Sequence, residues 1–109
     1  MNADNIKSQM RKGYLEYCIL LILRKKPAYT SDIISELKEA KLIVVEGTLY
    51  PLLTRLKNGV LLDYKWEEST QGPPRKYYEM TSRGSGFLDE LENSWIEINN
   101  VVKKIKGEI

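Results

Sequence analysis

Apolar residues start sparsely at Ile6, Met10 and Tyr14 and then run without a break from Tyr17 to Leu23. This pattern predicts a helix whose first half lies on a surface and whose second half is buried all round. Arg24-Lys25-Lys26 followed by Pro27 closes it, since cations suit a helix C-terminus and proline disfavours helical geometry at the residue before it. Ile33, Ile34, Leu37 and Ala40 recur at helical spacing, with Thr30 or Ser31 as cap. A third helical stretch holds Leu49, Leu52, Leu53 and Leu56 and stops at Asn58-Gly59. Val45 offers no polar side chain where a cap is common, so this helix is expected to begin late, with Thr48 as cap and Pro51 inside the first turn. An earlier start places Pro51 toward the interior, at about 3 kcal/mol.

The period then changes. Leu62, Tyr64 and Trp66 alternate with Asp63, Lys65 and Glu67, and Lys76 to Thr81 forms a second strand candidate. Between them Glu68-Ser69-Thr70-Gln71-Gly72-Pro73-Pro74 reads as a turn-rich tip, so the two strands make a hairpin. After Thr81 or Ser82 as cap, Leu88, Leu91, Trp95, Ile98, Val102, Ile105 and Ile109 step by alternating threes and fours, an a/d seam. Such a seam calls for a partner helix, and pairing with a second copy is favoured over packing on its own domain. Ile96 and Val101 widen the stripe, so the half-exposed start of the first helix is expected to share the interface. Three helices and a hairpin are the order of a winged helix-turn-helix, in which the third helix enters the DNA major groove and the hairpin is the wing. The expected fold class is mainly α with a β-hairpin: a winged helix-turn-helix domain over residues 1–83 and a C-terminal dimerisation helix over 84–109.

Length and composition narrow the picture. With 109 residues, 42% hydrophobic and 29% charged, the chain suits one domain with an appended helix. The absence of histidine and the single Cys18 exclude zinc sites, Ser-His-Asp triads, Cys-His dyads and intrachain disulfides. No cofactor or metal is expected, and no cluster of acid, base and nucleophile points to an enzyme. The seven residues Tyr17 to Leu23 fall short of the roughly 18 needed to span a bilayer, so no membrane partner is expected. The polar start Met1 to Asn5 lacks a signal-peptide pattern, and a lone cysteine suits a reducing cytoplasm.

A net charge of +2 decides little; its placement decides more. From Gly47 to Gly59 there are Arg55 and Lys57, no carboxylate, and Thr48 and Tyr50 near the start. Hydroxyls and cations there can reach phosphates and base edges. Gly72-Pro73-Pro74-Arg75-Lys76 adds two cations beside two stiff prolines, and a pre-ordered basic tip loses less entropy on entering a groove. From Gly84 to Ile109 five acids oppose three lysines, which suits assembly rather than DNA contact. The expected partner is a double-stranded DNA operator; a winged-helix module that docks proteins and never touches DNA is the alternative, against which Arg55, Arg75 and Lys76 weigh.

Two segments carry a family resemblance. Gly47-Thr48-Leu49-Tyr50-Pro51-Leu52-Leu53-Thr54-Arg55-Leu56 is similar to the recognition-helix signature of the PadR family of bacterial transcriptional regulators. Gly72 to Gly84, reading Gly-Pro-Pro-Arg-Lys-Tyr-Tyr-Glu-Met-Thr-Ser-Arg-Gly, resembles its wing signature at the right distance. The single C-terminal helix resembles the small subfamily, which includes homodimeric multidrug-responsive repressors. The resemblance implies a homodimer in which a tryptophan of the last helix lines a hydrophobic pore and stacks on planar drugs. Trp95 holds the matching position, Tyr17 and Tyr14 fall on the facing part of the first helix, and a small aromatic effector is the implied ligand; Trp95 as a plain core residue is the competing reading. Where the family often shows Tyr-Gly-Tyr-Glu-Ile, this chain has Tyr29-Thr30-Ser31-Asp32-Ile33, so Thr30 or Ser31 becomes the candidate phosphate contact of the second helix.

Overall fold

The computed structural model describes residues 1–108. It orders four helices and three short strands along the chain: α1 (Ala3–Lys25), β1 (Ala28–Tyr29), α2 (Thr30–Glu39), α3 (Glu46–Asn58), β2 (Leu62–Ser69), β3 (Gly72–Met80) and α4 (Ser82–Lys106). The strands form one antiparallel sheet in the order β1-β3-β2. Ile19, Leu20, Ile33, Leu49, Leu53, Leu62 and Leu88 are fully buried, so α1, α2, α3, the root of the hairpin and the first turns of α4 share one core. Helix-helix-helix-hairpin around that core is a winged helix, mainly α as the periodicity predicts.

The caps explain where elements begin and correct several expectations. Asn2 accepts from the Asp4 amide at 2.9 Å, and Thr81 Oγ1 from the Gly84 amide at 3.0 Å, each an N-cap bond. Neither Thr30 nor Ser31 caps α2: Tyr29 holds that place, and its amide donates to Asp32 Oδ2 at 3.0 Å. Nor does α3 begin late at Thr48. It starts at Glu46, because the Val45 carbonyl accepts from the amides of Thr48 (3.0 Å) and Leu49 (3.1 Å) and needs no side chain to do so. Pro51 therefore lies within the helix, one turn after Gly47, and Glu46 gives α3 a carboxylate in its first turn.

α3 stops at Asn58 with Gly59 as its C-cap, where Asn58-Gly59 predicts, and the left-handed residue follows the cap. Gly59 keeps an ordinary φ of −78°, while Val60 takes a left-handed φ of 63°. This places Leu61 so that its amide returns to the Leu56 carbonyl at 3.0 Å and its side chain enters the core. The hairpin is also tighter than its composition predicts. Pro73 and Pro74 belong to β3, the turn is only Thr70-Gln71, and the register slips between Glu67 and Ser69, opposite the prolines that cannot donate to a ladder. β1 was not foreseen; two residues are too short for any alternating pattern.

The α4 seam divides. Leu88 is buried and Leu91 packs against the core, whereas Trp95, Ile98, Val102 and Ile105 are exposed, with Ile96 and Val101 beside them. Ile109 lies outside the described residues. Arg24, at the end of α1, ties this junction by ion pairs to Asp89 (3.3 Å) and Glu92.

Candidate nucleic-acid interface

β1 pairs with β3 only at Ala28↔Tyr78 and Tyr29↔Tyr77, so beyond Tyr77 that edge of β3 is open. It faces the start of α2 and the first turns of α3 across a groove of about 340 Å³. Tyr29, Thr30 and Ser31 line one side, Glu46 and Tyr50 the floor, and Trp66 with Pro73, Pro74, Arg75 and Lys76 the wing side. The sequence-predicted residues Thr30, Ser31, Tyr50, Arg75 and Lys76 are thus brought together. Ser31 and Tyr50 are exposed, but Thr30 is 9% exposed and offers little beyond its backbone. Lys76 Nζ rests 4.5 Å from the Tyr64 ring and 5.3 Å from Trp66; Arg75 Cζ lies 3.9 Å from the centre of the Tyr29 ring. Both cations are held on aromatic faces that leave their charge unneutralised.

The remaining candidates are spread around α3. At about 100° per residue, the core side is Leu49, Leu53 and Leu56, and the outward side is Gly47, Pro51, Thr54 and Asn58. Tyr50 and Lys57 flank it toward the wing, and Lys57 Nζ sits 5.9 Å from the Tyr64 ring. Thr48 and Arg55 flank it on the other side, where Arg55 pairs with Glu16 of α1 at 3.3 Å. Arg55 is therefore outside the groove, though widely exposed. Short side chains on the outward face let a backbone approach closely, with hydroxyl and cationic groups at both margins.

A second concavity lies between α1 and α4. It measures about 490 Å³ and is lined by Met10, Gly13, Tyr14, Tyr17, Leu91, Ser94, Trp95 and Ile98. Tyr14, Tyr17 and Trp95 thus come together, with Ser94 the only side chain among them besides the tyrosines that carries a hydroxyl. Burial and the nearby Glu92 carboxylate raise the Tyr17 hydroxyl above its ordinary pKa, so it stays a neutral donor.

Residues 19–90 match the model of the transcriptional regulator PadR-like family, and so include α2, α3, the whole hairpin and the start of α4. The chain belongs to the PadR-like family of transcriptional regulators. It is similar to a PadR-like transcription factor of Bacteroides fragilis, with 71% identity, 93% of this chain and 98% of that one covered, and a TM-score of 0.82. A PadR-like transcriptional regulator of Bacillus cereus is 36% identical over 89% of this chain and 95% of that one, with a TM-score of 0.77. A PadR family regulator of Eggerthella lenta is 30% identical over 94% and 90%, with a TM-score of 0.80. DNA-binding regulation is the function of this family, and no helix among the described residues of this PadR-like chain is long and apolar enough to cross a membrane.

Three groove residues, Tyr29, Glu46 and Trp66, escape sequence reasoning, as does Glu67 beside the groove. Glu46 was excluded by the late helix start, and Trp66 and Glu67 read only as alternating strand positions. Tyr29 showed only as an aromatic shared with the family pattern. Counting back from the Thr70-Gln71 turn would set Glu67 opposite Pro74; only the register slip between Glu67 and Ser69 brings it opposite Arg75, and no sequence pattern announces that slip.

Proposed function

We propose that this PadR-like chain is a homodimeric, sequence-specific transcriptional repressor of the small, multidrug-responsive type, working in the cytoplasm. α3 enters the major groove with Thr48, Tyr50 and Arg55 toward bases and Lys57 toward a phosphate, while Ser31, Arg75 and Lys76, with the main chain of Thr30, grip the backbone on either side. The observation that carries this reading is the groove itself, in which the start of α2, Tyr50 and the two wing cations converge on one open strand edge. Residues 1–83 form the DNA-binding unit in this reading, and 84–109 the dimerisation helix, joined in assembly by the exposed Ile6 and Met10 of α1. The molecule's extents of 55 × 32 × 23 Å and radius of gyration of 15.9 Å support this. A compact chain of this length has about 13 Å, and the excess is the two long helices projecting from the core. A planar hydrophobic effector held by Tyr14, Tyr17 and Trp95 near the dimer axis changes the spacing of the two α3 helices and releases the operator.

An electrophoretic shift of the protein's own upstream DNA at a series of salt concentrations tests this. Binding that weakens steeply with salt and discriminates against unrelated duplex is expected. A protein that shifts neither duplex at low salt is not a DNA-binding regulator.

A further inference from the structure

The outer face of the sheet carries an arrangement that DNA contact alone does not require. Glu67 of β2 and Arg75 of β3 are direct cross-strand partners. Opposite charges at such positions ordinarily pair. Here they do not: among the described residues, no carboxylate lies within 4.0 Å of the Arg75 guanidinium. Glu67 instead accepts a hydrogen bond from the Tyr29 hydroxyl, and Arg75 lies flat on the Tyr29 ring, 3.9 Å from its centre. Since the strand order is β1-β3-β2, the Tyr29 side chain reaches from β1 across β3 to the far strand, with the guanidinium against its face.

Tyr29 is itself fixed at both ends. Its amide is bonded to Asp32, its backbone pairs with Tyr77, and its ring centre is 4.8 Å from that of Tyr77. The Glu67 carboxylate raises the hydroxyl above its ordinary pKa, so it remains a donor. We propose that Tyr29 is the positioning residue of the wing: its hydroxyl takes up the carboxylate that would neutralise Arg75, and its ring carries the guanidinium, leaving that charge for a DNA phosphate. This rests on the reading of the wing as a DNA contact. It also assigns Glu67, an acid facing a polyanion, a reason to be bound: unbonded, it would both pair with Arg75 and repel the backbone.

The test is a set of full-length variants measured for affinity to the upstream DNA and for its salt dependence. Tyr29→Phe keeps the ring and removes only the hydroxyl. It is expected to lower affinity about five-fold, the size of one surface charge contact, and to flatten the salt slope toward that of Arg75→Ala. Adding Glu67→Gln to Tyr29→Phe restores affinity, because no carboxylate is left to capture Arg75; damage to a merely structural tyrosine is not repaired by removing a second native group. In an Arg75→Ala background Tyr29→Phe has no further effect. Glu67→Gln alone, which needs no change at Tyr29, binds as well as wild type or better. If Arg75→Ala weakens binding but Tyr29→Phe does not, or if Glu67→Gln fails to restore the double variant, the role of Tyr29 is overturned and the wing contact stands. If Arg75→Ala itself binds as wild type, the wing contact falls first.

Discussion

Tyr17 of α1 and Trp95 of α4 face each other with ring centres 6.1 Å apart and planes tilted by 38°. The rings are too oblique for stacking, and Trp95 keeps 45% of its surface exposed. A tryptophan that served only to fill the core would be covered, as Leu88 two turns earlier is. The space beside the pair, about 490 Å³, lies within the range of roughly 300–1,000 Å³ that small-molecule pockets occupy.

Planar dyes titrated into Trp66→Phe, in which Trp95 is the sole tryptophan, are therefore expected to quench its fluorescence saturably. Trp95→Ala should abolish binding. A dimer structure with the two indoles packed without a gap, together with no quenching by any dye, would leave Trp95 as an interface residue alone.

Ile98 is 56% exposed on a stripe continued by Val102 and Ile105. Covering it in a dimer gains about 25 cal/mol per Å² removed from water, and Ile98→Asp sets an unpaired charge there. Sedimentation at micromolar concentration should show a dimer for wild type and a monomer for Ile98→Asp, with the melting curve of the monomer's core retained because Ile98 is not part of it. A monomeric wild type would end the proposal of dimerisation through α4.

The elements were legible where periodicity is long. α1, α4 and the hairpin follow from repeated apolar spacing, whereas a pocket beside Trp95 is implied by the family resemblance and not by spacing, which allows a plain core residue equally. What was hidden depends on partners distant in sequence. The start of α3 is satisfied by a backbone carbonyl of Val45, which no side-chain pattern announces. The division of the α4 seam after Leu91 depends on how far α1 runs alongside it. The Tyr29–Glu67–Arg75 group joins three strands, one of them two residues long, and becomes visible only with the register.

Arg55 forms its ion pair with Glu16 at the surface, where such pairs contribute about 0–1 kcal/mol and exchange readily for another anion. Arg55→Ala is expected to weaken operator binding by about 1–3 kcal/mol if a base accepts it in the complex. Glu16→Gln frees the guanidinium beforehand and should leave binding equal or tighter. Equal affinity for all three proteins would remove Arg55 from the interface.

Two backbone positions give stability changes of opposite sign. A Cβ on Gly84 would lie 2.1 Å from the Leu61 carbonyl oxygen, so Gly84→Ala must push α4 off the hairpin root; about 3 kcal/mol is expected, the upper part of the range for overpacking. Val60 is exposed and left-handed, so Val60→Gly should stabilise by about 1 kcal/mol. Urea midpoints of both variants check the signs.

Alkaline pH should loosen the core through Cys18. The thiol lies between α1 and α2 beside Tyr14, Leu21 and Leu42, and burial raises its pKa above the ordinary thiol value of about 8.5. Tyr17 and Tyr78 are raised by burial as well. For each group the folded state holds its proton more tightly than the unfolded one. The stability this provides is complete below the unfolded pKa and is lost as pH rises through the folded pKa. Urea midpoints should therefore be level from pH 7 to about 8.5 and then fall, less steeply in Cys18→Ala. Iodoacetamide at pH 8 should alkylate the native thiol several-fold more slowly than the urea-unfolded one, since the thiolate is the reacting form. Equal alkylation rates in the two states, or midpoints that stay level to pH 10.5, would show that the Cys18 thiol is not buried between these helices.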